Sequence, residues 1–165
     1  MSKIAIVYGS STGTTEAVAE KIKASLDGST IYNAADVSID ELKPYDFLIF
    51  GASTTGVGDL QDDWEVLLPQ VEKMDFSGKK VALFALGDSA SFSTSFAGAM
   101  YPLYKALKNK VDIIGSVSTD VYTFDESDAV VNGKFIGLAL DEDNEYNETD
   151  ARIKLWVDNL LQYLN

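Results

Sequence analysis

Three runs, at residues 3–8, 46–51 and 80–86, each continuously apolar after its opening Lys3, Asp46 or Lys80, most constrain what this chain can fold into. A strand with one wet face alternates apolar and polar residues. A strand covered on both faces does not, so these runs read as buried and parallel. After the first run, Thr15–Leu26 carries Val18, Ile22 and Leu26 at helical spacing, and the chain opens as a βα unit. Thr30–Tyr32 reads as a short second strand, 46–51 as the third and 80–86 as the fourth. A helical pattern is expected over Trp64–Met74, and another over Phe96–Lys110, where Pro102 cannot donate to Gly98 and predicts a kink or a broken start. Val111–Gly115 begins a fifth strand. Residues 117 to about 134, rich in turn-forming Asp, Asn and Gly, interrupt it, and Phe135–Leu140 resumes it. Thr149–Leu164 closes the chain as a helix with Ile153, Trp156, Val157, Leu160, Leu161 and Leu164 on one side, capped by Asn147 or Thr149. Val37–Leu42 is a connector whose pattern fits neither element.

Alternation of this kind builds a doubly wound α/β three-layer sandwich, here as one domain over 1–165. Ligands of such sheets bind beyond the carboxyl ends of the strands. The loops that converge there are 9–15, 52–61 and 87–96, each rich in Gly, Ser and Thr. The first, Tyr8-Gly9-Ser10-Ser11-Thr12-Gly13-Thr14-Thr15, joins a strand to a helix without a single charge. A helix start leaves unpaired N–H groups and partial positive charge, so this loop suits an anion held by backbone donors and the Ser10, Thr12 and Thr15 hydroxyls. An ordinary N-capped turn uses the same residue types. A Walker A loop needs a lysine that residues 9–15 lack, which argues against nucleotide triphosphate chemistry. Neutral donors in a chain of net charge -13 suit the phosphate of a resident cofactor better than a group to be transferred.

Composition narrows the chemistry further. The chain has no cysteine and no histidine, which removes disulfides, thiolate catalysis, iron–sulfur clusters, serine triads and histidine zinc sites. With 26 Asp and Glu against 13 Lys and Arg, nucleic acid and anionic membranes are poor partners, while a basic protein surface would be steered towards it. The N-terminal apolar run is too short for a signal peptide and no stretch reaches a transmembrane length, so a cytoplasmic location is expected.

The loop Ser10–Thr15, the segment Gly51-Ala52-Ser53-Thr54-Thr55-Gly56-Val57-Gly58-Asp59-Leu60-Gln61-Asp62-Asp63-Trp64 and Gly87-Asp88 after a strand resemble flavodoxins in order and spacing. The resemblance spans nearly the whole chain. From Tyr122-Thr123-Phe124 through Phe135–Asp143 the chain is similar to the long-chain branch of that family. The resemblance implies a five-stranded parallel sheet of order 2-1-3-4-5 with its last strand interrupted by an insertion. It also implies a low-potential one-electron carrier that binds flavin mononucleotide (FMN), acts as no enzyme, and exchanges electrons as a monomer with donors and acceptors of the flavodoxin or ferredoxin reductase type through their basic docking surfaces. The FMN-binding residues it implies are Ser10, Ser11, Thr12, Gly13, Thr14, Thr15, Thr54, Thr55, Gly56, Val57, Leu86, Gly87, Asp88, Phe92, Ser95 and Asp143. No metal is implied.

Within that set the flavin-stacking positions depart from the family pattern, with Thr55 on one side and Phe92 on the other. Thr55 cannot stack. Phe92 can, unless it packs into the core, and Phe96 competes with it from one helical turn away. Trp64 stands behind the second loop and is expected in the core. The main chain of Asp88 is expected at the pyrimidine end of the flavin, the Gly56 carbonyl near flavin N5, and Asp143 either near the ribityl chain or in a solvated acidic loop. An FMN-dependent quinone or nitro reductase on the same fold is the rival reading, left open by the bare face at Thr55. A phosphorylated receiver domain is excluded, because the strand ends Val7-Tyr8-Gly9 and Gly51-Ala52-Ser53 lack its carboxylates.

Overall fold

The computed structural model describes residues 3–164; Met1, Ser2 and Asn165, the ends of the domain expected over 1–165, lie outside the described residues. In chain order the elements are β1 (Ile4–Gly9), α1 (Thr14–Ser25), β2 (Thr30–Asn33), α2 (Ile39–Leu42), β3 (Phe47–Thr55), β4 (Asp59–Leu60), α3 (Asp62–Val71), β5 (Lys80–Leu86), α4 (Met100–Leu107), β6 (Asp112–Ile114), β7 (Val117–Ser118), β8 (Val130–Val131), β9 (Lys134–Phe135), β10 (Leu138–Leu140) and α5 (Thr149–Leu160). The unbroken apolar runs are the central strands β1, β3 and β5, parallel and buried on both faces, with β2 outside β1. Because successive strand residues point to opposite faces, each run feeds two cores. Ala5, Val7, Leu48, Phe50, Val81 and Leu83 pack with α3 and α4. Ile4, Ile6, Phe47, Ile49, Ala82 and Phe84 pack with α1 and α5.

The far edge of β5 is paired in two pieces. β6 lies along Lys80–Ala82 and β10 along Phe84–Leu86, both parallel, so together they make the interrupted fifth strand of the order 2-1-3-4-5. Between them the chain leaves the sheet and forms a small antiparallel sheet, β7-β9-β8. Phe135 therefore belongs to the insertion, paired with Val117 and Val130, and the resumed strand begins only at Leu138. Gly137 marks the re-entry: a Cβ there would stand 2.1 Å from the Leu83 carbonyl oxygen.

Helix boundaries differ from the periodicity in instructive ways. The helix expected from Phe96 starts at Met100; residues 96–99 are turns, and Pro102 falls in the first turn, where its missing N–H has no helical partner to lose. The proline thus marks a broken start. α3 begins at Asp62, before Trp64, because the buried Gln61 side chain accepts from the Asp63 and Trp64 N–H groups, and it ends at Val71, two residues after Pro69. The connector over Val37–Leu42 contains α2, closed by a capping box between Ser38 and Glu41. Neither Asn147 nor Thr149 caps α5: a 3-10 turn over Tyr146–Glu148 runs straight into it, and Thr149 is already helical. Trp64 is core as expected, donating its indole N–H to the Gly51 carbonyl at 2.8 Å. Among the described residues no helix is long and apolar enough to cross a membrane.

Candidate functional site

Registers Gly9↔Ala52, Ser53↔Leu86 and Leu140↔Leu86 bring the carboxyl ends of β1, β3, β5 and β10 to one level. The loops leaving them enclose a cavity of about 300 Å³. Its walls are Ser11, Thr12, Thr14 and Thr15 after β1; Ser53, Thr54, Thr55 and Gly56 at the end of β3; Leu86, Gly87, Asp88, Phe92 and Ser95 after β5; and Glu142 and Asp143 after β10. That volume lies at the lower end of the range small-molecule sites occupy. Ser10, Gly13 and Val57, also expected at the site, are not in the lining.

At one end of the cavity α1 presents its N-terminus. Gly13, at φ +91°, turns the chain into the helix and supplies no capping side chain, so the first-turn N–H groups are left for something else. Ser10 works within the turn: its Oγ accepts from the Gly13 N–H at 2.9 Å. Thr15 is buried with its hydroxyl lacking any partner among the described residues, and the Thr12 and Thr14 hydroxyls lie 3.4 Å apart in the open. Such a cradle of neutral donors fits a phosphate-like anion. Glu16, in the same turn, takes a hydrogen bond from the Tyr8 hydroxyl at 3.0 Å, and burial followed by that carboxylate pushes the Tyr8 phenol above its ordinary pKa.

The side walls settle which aromatic faces the cavity. Phe92 lines it and is 45% exposed, so it is not core. Phe96 is 1% exposed, packed against Tyr122, Phe124 and Phe135, and cannot be the competing stacker. Opposite, Thr55 ends β3 with its hydroxyl donating to the Leu60 carbonyl at 3.3 Å across the β3–β4 hairpin. Gly56 follows at φ +50°, and Val57 points away, 74% exposed. The Thr54 hydroxyl accepts from the Ala99 N–H at 3.3 Å, which ties the second loop to the third. Ser53 and Ser95 contribute buried hydroxyls that have no partner among the described residues.

The third end is acidic. Carboxylate oxygens of Asp88, Asp141 and Asp143 lie within 4.8 Å of one another. Asp88 is held below the usual carboxylate range by the Ser91 N–H and by Asn144, whereas burial, then Asp88 and Asp141, push Asp143 up. Sequence reasoning missed Ser53 and Glu142 in the lining, and missed Asp141 and Asn144 behind it. The available signal was an acidic residue placed directly at the end of an apolar strand, Asp141 after Leu140, where burial is the rule and a polar side chain needs partners.

Cradle, aromatic wall and polar rim fit a phosphorylated planar ligand, and comparison with known proteins shows the family. Residues 6–156 match the sequence profile described as Flavodoxin. The chain is 42% identical to a flavodoxin of Synechocystis sp. over 97% of this chain and 96% of that one. It is 43% identical to a flavodoxin of Buchnera aphidicola over 100% and 99% of the two chains. Among solved structures it is similar to Fusobacterium nucleatum flavodoxin bound to flavin mononucleotide, with a TM-score of 0.94 and 34% identity over the full length of both. By profile, by sequence and by fold, the chain belongs to the flavodoxin family.

Proposed function

We propose that this protein is a low-potential one-electron carrier whose cavity holds FMN, with the phosphate on the start of α1, the ring between Thr55–Gly56 and Phe92, and the pyrimidine end against Gly87–Asp88. FMN supplies the one-electron chemistry; the chain binds it, orients it and sets the charge around it. The observation that carries this reading is the buried, unpartnered Thr15 hydroxyl beside the unpaired N–H groups of α1, a phosphate-sized need with no charged side chain to meet it. Ser11, Thr12, Thr14, Thr54, Leu86, Ser95 and Asp143 complete the contact set as lining residues. Ser10 and Gly13 serve by shaping the turn, and Val57 by standing exposed at the mouth. The insertion over β7–β9 supports the longer branch of the family.

A fluorescence titration of the apoprotein with FMN, riboflavin and FAD tests the reading. FMN should bind tightest, because the neutral hydroxyl loop suits one terminal phosphate. Riboflavin binding as tightly as FMN would overturn the phosphate assignment. The partners that suit the carrier are redox proteins with basic docking surfaces, meeting Asp59, Asp62 and Asp63, and the protein should act as a monomer in the cytoplasm. The bare face at Thr55 is the one feature that favours a quinone or nitro reductase, and the family assignment runs against it.

A further inference from the structure

Phe92 forms the aromatic wall of the cavity, yet it is 45% exposed, so packing alone does little to fix it. Its backbone is fixed instead. The Phe92 N–H donates to the Asp88 carbonyl at 2.9 Å, and the Phe92 carbonyl accepts from the Ser95 N–H at 3.2 Å. Ser93, the next residue, is fastened to the insertion between β7 and β8. Its carbonyl accepts from the Asp125 and Glu126 N–H groups at 2.8 and 2.9 Å, and its hydroxyl donates to the Asp125 carboxylate at 2.8 Å. A second tie follows at Phe96, whose carbonyl accepts from the Ser127 hydroxyl and whose ring packs against Tyr122 and Phe135. The insertion thus grips the loop after β5 immediately beside Phe92 and again at Phe96.

From this geometry, and resting on the reading that the cavity holds FMN, we propose that Asp125 is a positioning residue for Phe92: through Ser93, the insertion holds the aromatic wall in place for the flavin ring. A stacking side chain on a loose loop loses freedom when the ligand arrives, and that cost lowers affinity. A loop already fastened bears little of it. Asp125 is not in the cavity lining, so it acts through Ser93 and not by touching the ligand. Its charge has the wrong sign to help: in a chain of net charge -13, removing one more carboxylate favours an anionic ligand. Lost positioning and lost charge therefore move affinity in opposite directions, and substitution separates them.

The test is fluorescence titration with FMN and with riboflavin of the wild-type apoprotein and of Asp125→Ala, Ser93→Ala, Asp125→Asn and Phe92→Ala. Uptake of FMN by the wild type comes first, and its failure would sink the carrier reading itself, before any variant is compared. Asp125→Ala and Ser93→Ala each remove the side-chain bond and should weaken FMN binding by about threefold, the scale of one modest hydrogen bond. Riboflavin should lose the same factor, because both ligands present the same ring to Phe92. Asp125→Asn keeps an oxygen that accepts from Ser93 and should bind FMN as the wild type does. In a Phe92→Ala background, Asp125→Ala should have no further effect, a result that general loosening of the fold would not give. Wild-type affinity in Asp125→Ala, a loss confined to FMN, or an equal loss in Asp125→Asn would overturn the proposal. So would a loss that persists undiminished in the Phe92→Ala background. If Asp125→Ala does not fold, Ser93→Ala is read against the same outcomes.

Discussion

Thr15 sets an unpaired hydroxyl at the one place where a helix offers free N–H groups, and that residue carries the strongest local prediction. Replacing Thr12 and Thr15 together by alanine removes two hydrogen bonds to a charged group, about 1.5–3 kcal/mol each, so FMN affinity should fall by at least about tenfold while riboflavin affinity changes little. Equal losses for the two ligands in a fluorescence titration would mean that the threonines serve the fold and not the phosphate. Gly56 makes a different demand. It stands at φ +50°, with the place of a Cβ only 2.8 Å from an Asp59 carboxylate oxygen. Gly56→Val should cost about 1–2 kcal/mol of stability from left-handed backbone alone, read as a lower urea midpoint. An unchanged midpoint would show that the loop moves to accommodate the side chain at no cost.

At the scale of elements, the joint between the insertion and α5 is the most exposed to test. Arg152, with its side chain 10% exposed, lies 4.2 Å over the Tyr122 ring, pairs with Glu145 at 3.2 Å and donates to the Val121 carbonyl at 3.2 Å. Arg152→Ala leaves Glu145 half-buried without its cation and should cost about 2–4 kcal/mol in urea unfolding. A loss below about 1 kcal/mol would mean the insertion is held by its aromatic contacts alone. Tyr122 donates to the Ala139 carbonyl at 2.7 Å, and burial pushes its phenol up to about 12 from an ordinary 10.0. A raised folded pKa stabilises fully below the unfolded value and is lost as pH rises from about 10 to about 12. Tyr122→Phe should therefore lower stability at neutral pH by about 0.5–1.5 kcal/mol and flatten the alkaline decline in thermal melts; an identical decline would assign it to other tyrosines. These joints were not legible in the sequence. The parallel strands were, because burial on both faces writes itself as runs such as Phe47–Phe50. The start of α4 was legible in part: Pro102 predicts a broken start, but nothing in Phe96-Ala97-Gly98-Ala99 announces that Phe96 packs against Phe135 and that Ala97 takes φ +53°, which delay the helix to Met100. The three site loops were legible from position and composition. Asp141 was legible only by its place directly after the apolar Leu138–Leu140, since in composition it matches its neighbours Glu142 and Asp143.

Taken whole, the molecule carries a net charge of -13, with Asp59 next to Gly56 of the cavity wall and Asp62 and Asp63 in the first turn of α3. Exposed charges are screened over about 8–10 Å near physiological ionic strength, so salt should slow encounter with a basic redox partner far more than it weakens the docked complex. Stopped-flow rates with a basic reductase that stay flat from low to high salt would remove the acidic rim from docking. A carrier of this kind passes electrons but does not itself take hydride from a nicotinamide. Anaerobic addition of NADPH to the FMN-loaded protein, followed at the flavin absorbance, separates the two behaviours. NADPH alone should cause no bleaching, and bleaching should be prompt once a catalytic amount of a flavodoxin or ferredoxin reductase is added. Rapid bleaching by NADPH alone would make the protein a reductase and not a carrier.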